Sequence, residues 1–139
     1  MKDITYAIIT LLKADTGVAG VAGTRVHRKK LPTSPTFPAI TVAKIDNIRD
    51  VITNTAGYAH ARIQCTTWTT TPGPEEDLAE TIANALNQKQ NSILLYGTGA
   101  NASAVYIKCV KDAGGIPDEN EEIPLYMEHR DFMIEYDYR

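Results

Sequence analysis

At 139 residues the chain has the length of one ordinary domain, and residues 1–139 are expected to fold as a single unit that buries roughly two thirds of its unfolded surface. Hydrophobic residues make up 43% and charged residues 22%, the balance of a globular chain, and no apolar run nears the roughly 18 residues of a membrane span, so no membrane partner is expected. The formal net charge of −3 argues against a dedicated nucleic-acid binder, which usually carries a basic excess to displace counterions from phosphates.

The opening stretch MKDITYAIITLLKADTG interrupts its apolar positions with Thr5, Tyr6, Thr10 and Lys13, unlike a signal-peptide core, so synthesis in the cytoplasm is expected. Within it, Ile4, Ala7, Ile8, Leu11 and Leu12 follow the spacing of one apolar helical stripe. Gly17, Gly20 and Gly23 are expected to break that helix and lead to a short strand around RVHR. The following KKLPTSPTFP carries Pro32, Pro35 and Pro38, which deny donors to any central strand and predict an exposed loop.

AITVAKI and YAHARIQCTTW then read as two strands of an antiparallel hairpin, joined by the polar connection DNIRDVITNTAG, which is expected to protrude. In the second strand Ala59, Ala61, Ile63, Cys65 and Thr67 share an apolar face, and His60, Arg62, Gln64, Thr66 and Trp68 share a polar one. Thr71, Pro72, Gly73 and Pro74 stop that strand, and Glu75, Glu76 and Asp77 place acids at the positive end of a helix with Leu78, Ile82, Ala85 and Leu86 inward. SAVYIKCVKD and PLYMEHRDFMIEYDYR read as two more strands, the last with Tyr126, Phe132, Ile134, Tyr136 and Tyr138 at even positions. The predicted fold class is α+β: an antiparallel β-sheet with two main helices packed against it.

No motif carries chemistry. His27, His60 and His129 fall on three different predicted strands without metal-pair spacing. The HRD at His129–Asp131 lacks the residues that accompany a kinase catalytic loop, and the GTG at 97–99 lacks a phosphate-cradling signature. The NAS at Asn101 is read as a chance match to a glycosylation acceptor, and the proline spacing as a loop rather than a peptide ligand. Cys65 and Cys109, on alternating strand positions, read as small core residues, with a disulfide between them as the alternative. No catalytic residue, cofactor or metal is expected. The basic RKK at Arg28, Lys29 and Lys30 and the acidic DENEE at 118–122 are either solvated runs or complementary contacts between copies.

Taken together, the opening helix ending in LLKADTGVAGVAGTRVHR, the proline loop into FPAITVAKI, the unit ARIQCTTWTTTPGPEEDLAETIANAL and the closing YMEHRDFMIEYDYR resemble the tail-terminator (tail-completion) family of long-tailed phages. The resemblance covers nearly the whole chain. It implies a structural protein of the virion's head-tail neck, in which a homo-hexameric ring caps the finished tail tube and joins the head-side connector or stopper. Genomic DNA would pass through the lumen without sequence-specific binding, past loops expected to be neutral or acidic. Contacts with ring neighbours, tube and connector are expected at Arg28, Lys29, Lys30, Asn47, Arg49, Asp50, Asn54, His60, Arg62, Gln64, Asp118, Glu119, Glu121 and Glu122. The alternatives are another neck or tail component, such as a stopper or minor tail protein, and a small ligand-binding or hydrolytic domain using His60, Arg62 and Gln64.

Overall fold

A computed structural model of the chain describes residues 4–51, 57–88, 92–96, 103–120 and 125–137. The elements are α1 (Ile4–Ala14), α2 (Thr16–Ala22), β1 (Val26–Arg28), β2 (Ala39–Val51), β3 (Gly57–Thr69), α3 (Pro74–Asn87), β4 (Ser92–Tyr96), β5 (Ser103–Asn120) and β6 (Leu125–Asp137). The strands form one sheet in the order β1-β2-β3-β6-β5-β4. All neighbours are antiparallel except β1, which runs parallel to β2.

The helices cover one face of this sheet because β3 and β6 alternate as their residue types require. Ala59, Ala61, Ile63 and Cys65 of β3 and Phe132, Ile134 and Tyr136 of β6 are buried in one core with Leu78, Ile82 and Leu86 of α3 and Ile4, Ile8, Leu11 and Leu12 of α1. Full burial of the larger of these, the Leu, Ile and Phe side chains, contributes about 1.5–3 kcal/mol each. α1 rests against both β1 and β4, the outermost strands, so the sheet curls toward a barrel with α1 across the opening between its edges.

The glycine-rich stretch after α1 is helical, contrary to its reading as a break. Asp15 caps α2 by accepting from the Val18 N–H at 3.0 Å, and Val18 and Ala22 are buried. Together these outweigh a glycine cost of about 1 kcal/mol per position. Gly17 also allows close packing: a Cβ there would lie 3.0 Å from the Thr81 methyl of α3. Only Gly23, at φ 57°, ends a helix. The axis turns by 81° between α1 and α2, and no single described helix is long and apolar enough to cross a membrane.

Two stretches expected to be loops are partly strand. β2 continues through Asp46–Val51 opposite Gly57–Arg62, after a bulge between Lys44 and Asp46 that shifts the phase of its side chains. Only 52–56 of the expected protrusion lies outside the described residues. β5 likewise runs on through Gly114, Gly115 and Pro117 to Asn120, with a bulge between Asp112 and Gly115. Pro117 lies opposite Glu128 in a part of β5 that β4, which accompanies it only from Ser103 to Ile107, does not flank, an edge position of the kind proline tolerates. β4, SILLY, is a strand that the sequence reading passed over.

Candidate interaction surface

The residues of the HRD stretch turn to three different neighbours. His129 Nδ1 lies 2.9 Å from the Thr66 hydroxyl, Arg130 Nη2 is 2.8 Å from Asp112, Arg130 Nη1 is 2.6 Å from Glu80, and Asp131 accepts from Arg62 Nε at 2.8 Å. These links tie β6 to β3, β5 and α3. They do not converge on a point where a substrate could react. Hydrogen bonding to Asp112 pushes the Arg130 pKa up, burial opposes it, and Glu80 adds to the rise.

Glu75 begins the adjoining acidic cluster. It is buried in the first turn of α3, and its carbonyl accepts from the Thr67 hydroxyl at 2.8 Å. Glu128 stands beside it with Oε2 buried and unbonded. Burial raises the Glu128 pKa; Arg130 lowers it, and Glu76, Glu80 and Glu75 raise it again. Among the described residues no group of three His, Cys, Asp or Glu side chains could hold a metal ion.

On the face away from the helices, His60 and Glu135 approach to 4.0 Å, Arg62 pairs with Asp131, and the Trp68 indole donates to the Thr41 hydroxyl at 3.0 Å. Gln64 lies half-buried in the same row, opposite Asp131. The face is mixed, because Ile48, Met133 and Tyr106 are also exposed there. Cross-strand pairing, rather than a hydrolytic arrangement, accounts for the polar residues of β3.

A concave feature lies between α1 and β1. A groove of about 520 Å³ is lined by Tyr6, Ile9, Thr10 and Lys13 of α1, Val26, His27 and Arg28 of β1, and Lys30, Leu31 and Pro32 of the loop beyond. Arg28 stacks over the Tyr6 ring, 4.7 Å from its centroid, and so joins the two walls. Lys29, at φ 68°, turns the chain out of β1 while its N–H donates to the Val42 carbonyl at 2.9 Å. The far end of the proline loop is held by Arg25 Nε, 2.8 Å from the Pro38 carbonyl.

Of the expected contact residues, the fold brings Arg28 and Lys30 together in this groove, with Lys29 between them. Asn47 instead accepts from the Tyr136 hydroxyl at 3.1 Å, and His60, Arg62 and Gln64 belong to the outer face. Arg49 and Asp50 fall in β2 opposite Ala59 and Tyr58, while Asp118 and Glu119 fall in β5 opposite Met127 and Tyr126. Asn54, Glu121 and Glu122 lie outside the described residues, as do the GTG at 97–99 and Asn101. The sequence reading missed Tyr6 and Lys13, although Tyr6, Thr10 and Lys13 recur at helical spacing opposite the apolar stripe of α1.

The cysteines do not meet. Cys65 is a buried free thiol paired in register with Arg130, and Cys109 pairs with Glu135 on the other side of β6. Five rows of about 3.4 Å separate them, well beyond disulfide reach.

A family model described as tail completion protein gp17 matches residues 6–94, which is α1 through most of β4 and includes both walls of the groove. Among solved structures, a chain of the virion of a native gene transfer agent particle shares the fold with a TM-score of 0.61 and 17% identity, covering 97% of this chain and 95% of that one. A second solved chain aligns with a TM-score of 0.51 and 15% identity, covering 98% of this chain and 90% of its own length. No curated protein matches the sequence.

Proposed function

This chain belongs to the tail completion protein gp17 family, and from that premise we propose that it assembles as a ring, with six copies, on the head-proximal end of a finished tail tube. The chain is a structural, tail-associated protein of the virion, not an enzyme. In the proposed role the ring stops tube polymerisation and presents the surface that meets the head-side connector or stopper. The observation that carries this reading is the family match over residues 6–94.

The sheet is compatible with such a role on physical grounds. β1 covers β2 only from Ile40 to Val42 and β4 covers β5 only from Ser103 to Ile107, so both outer strands leave edge that contacts with ring neighbours can cover. The remaining mixed faces and projecting ends are available for closed contacts with neighbours. DNA crossing the lumen would meet a chain of net charge −3, whose loops toward the channel we expect to be neutral or acidic on balance, which permits passage without tight binding.

Polymerisation of the cognate tube protein in vitro, with and without this protein, tests the reading. The expected result is tubes shortened in proportion to the amount of protein added, each carrying density at one end. Unchanged tube lengths with bare ends would contradict it and favour another tail component.

A further inference from the structure

We propose that the groove between α1 and β1 receives the acidic end of the β5–β6 hairpin from a second copy, so that successive subunits join groove to hairpin around the ring. This rests on the ring reading above and names the contact that would build it. The groove has an apolar floor that includes Ile9 and Leu31 and a basic rim of Lys13, Arg28 and Lys30. Neither Lys13 nor Lys30 reaches a carboxylate among the described residues. An occupant should therefore be acidic, extended and flanked by apolar residues.

The chain carries such a segment. Residues 116–125 read IPDENEEIPL, with Asp118, Glu119, Glu121 and Glu122 set between Ile116 and Ile123. No described residue of β5 or β6 lines the groove of its own molecule. The register also makes this end project. The row through Asp118, Met127 and Trp68 reaches Ala39, the first residue of β2. The next row, Glu119 with Tyr126, still has Thr69 of β3 beside it but nothing of β2, and Asn120 with Leu125 is flanked by neither. The hairpin thus outruns β3 by one row and β2 by two, at about 3.4 Å per row.

Two further considerations favour this contact over strand addition. Beyond Ile107 the outer edge of β5 is not covered by β4, but the bulge at Asp112/Gly115 and Pro117 interrupt a regular ladder there. The groove and the hairpin end are also different surfaces of one molecule, so their union is head-to-tail, the kind of contact that closes into rings. Opposite charge would set its register and offset the mutual repulsion of copies that are each net acidic.

The test uses intact particles from producing cells in which Tyr6, 49% exposed on the groove wall, is replaced by a photo-crosslinking benzoylphenylalanine. Irradiation is expected to yield a covalent dimer of this chain, with the cross-link mapped to the peptide spanning 112–130. Cross-links only to a different virion protein, or none, would overturn the proposal while leaving the ring reading in place. In parallel, Arg28→Glu with Lys30→Glu should lower incorporation into particles at least tenfold. Adding Glu121→Lys with Glu122→Lys in the same chain should restore it. Failure of that rescue, with the monomer folded by circular dichroism, also overturns the contact. Absence of the wild-type chain from virions would instead remove the ring reading, and this inference with it.

Discussion

Arg28 lies over the Tyr6 ring at 4.7 Å, so that one side chain of the edge strand β1 is bound to the exposed stripe of α1. An exposed cation–π pair of this kind contributes about 0.5–1 kcal/mol. Tyr6→Ala is therefore expected to lower stability by about that amount in urea titration, with a smaller effect for Tyr6→Phe, which keeps the ring. A Tyr6→Ala protein as stable as wild type would show that the stack contributes nothing to holding the groove walls together.

Arg130 is the larger structural commitment. It lies at the meeting point of β6, β5 and α3, with Asp112 and Glu80 both on its guanidinium. Arg130→Met would leave those carboxylates beside Glu128 with no cation, and charge-assisted bonds of this type are worth about 1.5–3 kcal/mol. Thermal unfolding should reveal a loss in that range. Arg130→Lys should recover only part of it, because an ammonium cannot reproduce the fork that bridges two acceptors. Full recovery with lysine would mean that charge alone, without geometry, serves the site.

Glu128 points the other way. Its folded pKa lies above the ordinary value, chiefly through burial, so the native state holds the proton more tightly than the unfolded chain does. The ionised carboxylate therefore costs stability at pH above the raised value, and the cost is relieved as pH falls through it. Glu128→Gln should raise the melting temperature near neutral pH, with the gain shrinking as the solution is acidified. A mutant that is less stable than wild type at neutral pH would indicate that the charge is needed, most simply by Arg130.

The Cys65 thiol, fully enclosed in the core, has its pKa pushed up to about 12 by burial, with Asp131 adding to the rise. It should not react with a thiol reagent at mildly alkaline pH until the protein unfolds, since only the thiolate is nucleophilic. Cys65→Ser would place a hydroxyl among apolar neighbours and is expected to destabilise by about 1–3 kcal/mol. Rapid native labelling mapped to Cys65 would contradict its placement.

Much of the fold is legible where residue type and period agree. The apolar stripes of α1 and α3 and the alternation of β3 and the end of β6 all mark the buried face directly. Local reading fails where tertiary pairing overrides local preference. Gly17 and Gly20 sit in a helix because Asp15 caps it and α3 packs close against it. Gly115 and Pro117 sit in a strand because β6 is long enough to pair with them, on a stretch of β5 that β4 does not flank. Of the candidate surface, the RKK cluster is visible in sequence, but its opposite wall at Tyr6 and Lys13 comes from residues about 15–25 positions earlier that only the curled sheet and α1 bring beside it. Pairs such as Arg62 with Asp131 are separated by 69 positions and carry no local signal at all.

The most direct measurement is deletion of this chain's gene in the producing particle, followed by negative-stain electron microscopy of the lysate. Overlong or head-free tails beside filled, tailless heads are the predicted result, because tube growth would lack its stop and heads their joining surface. Particles of normal tail length with heads attached would contradict the proposed role in ending and joining the tail.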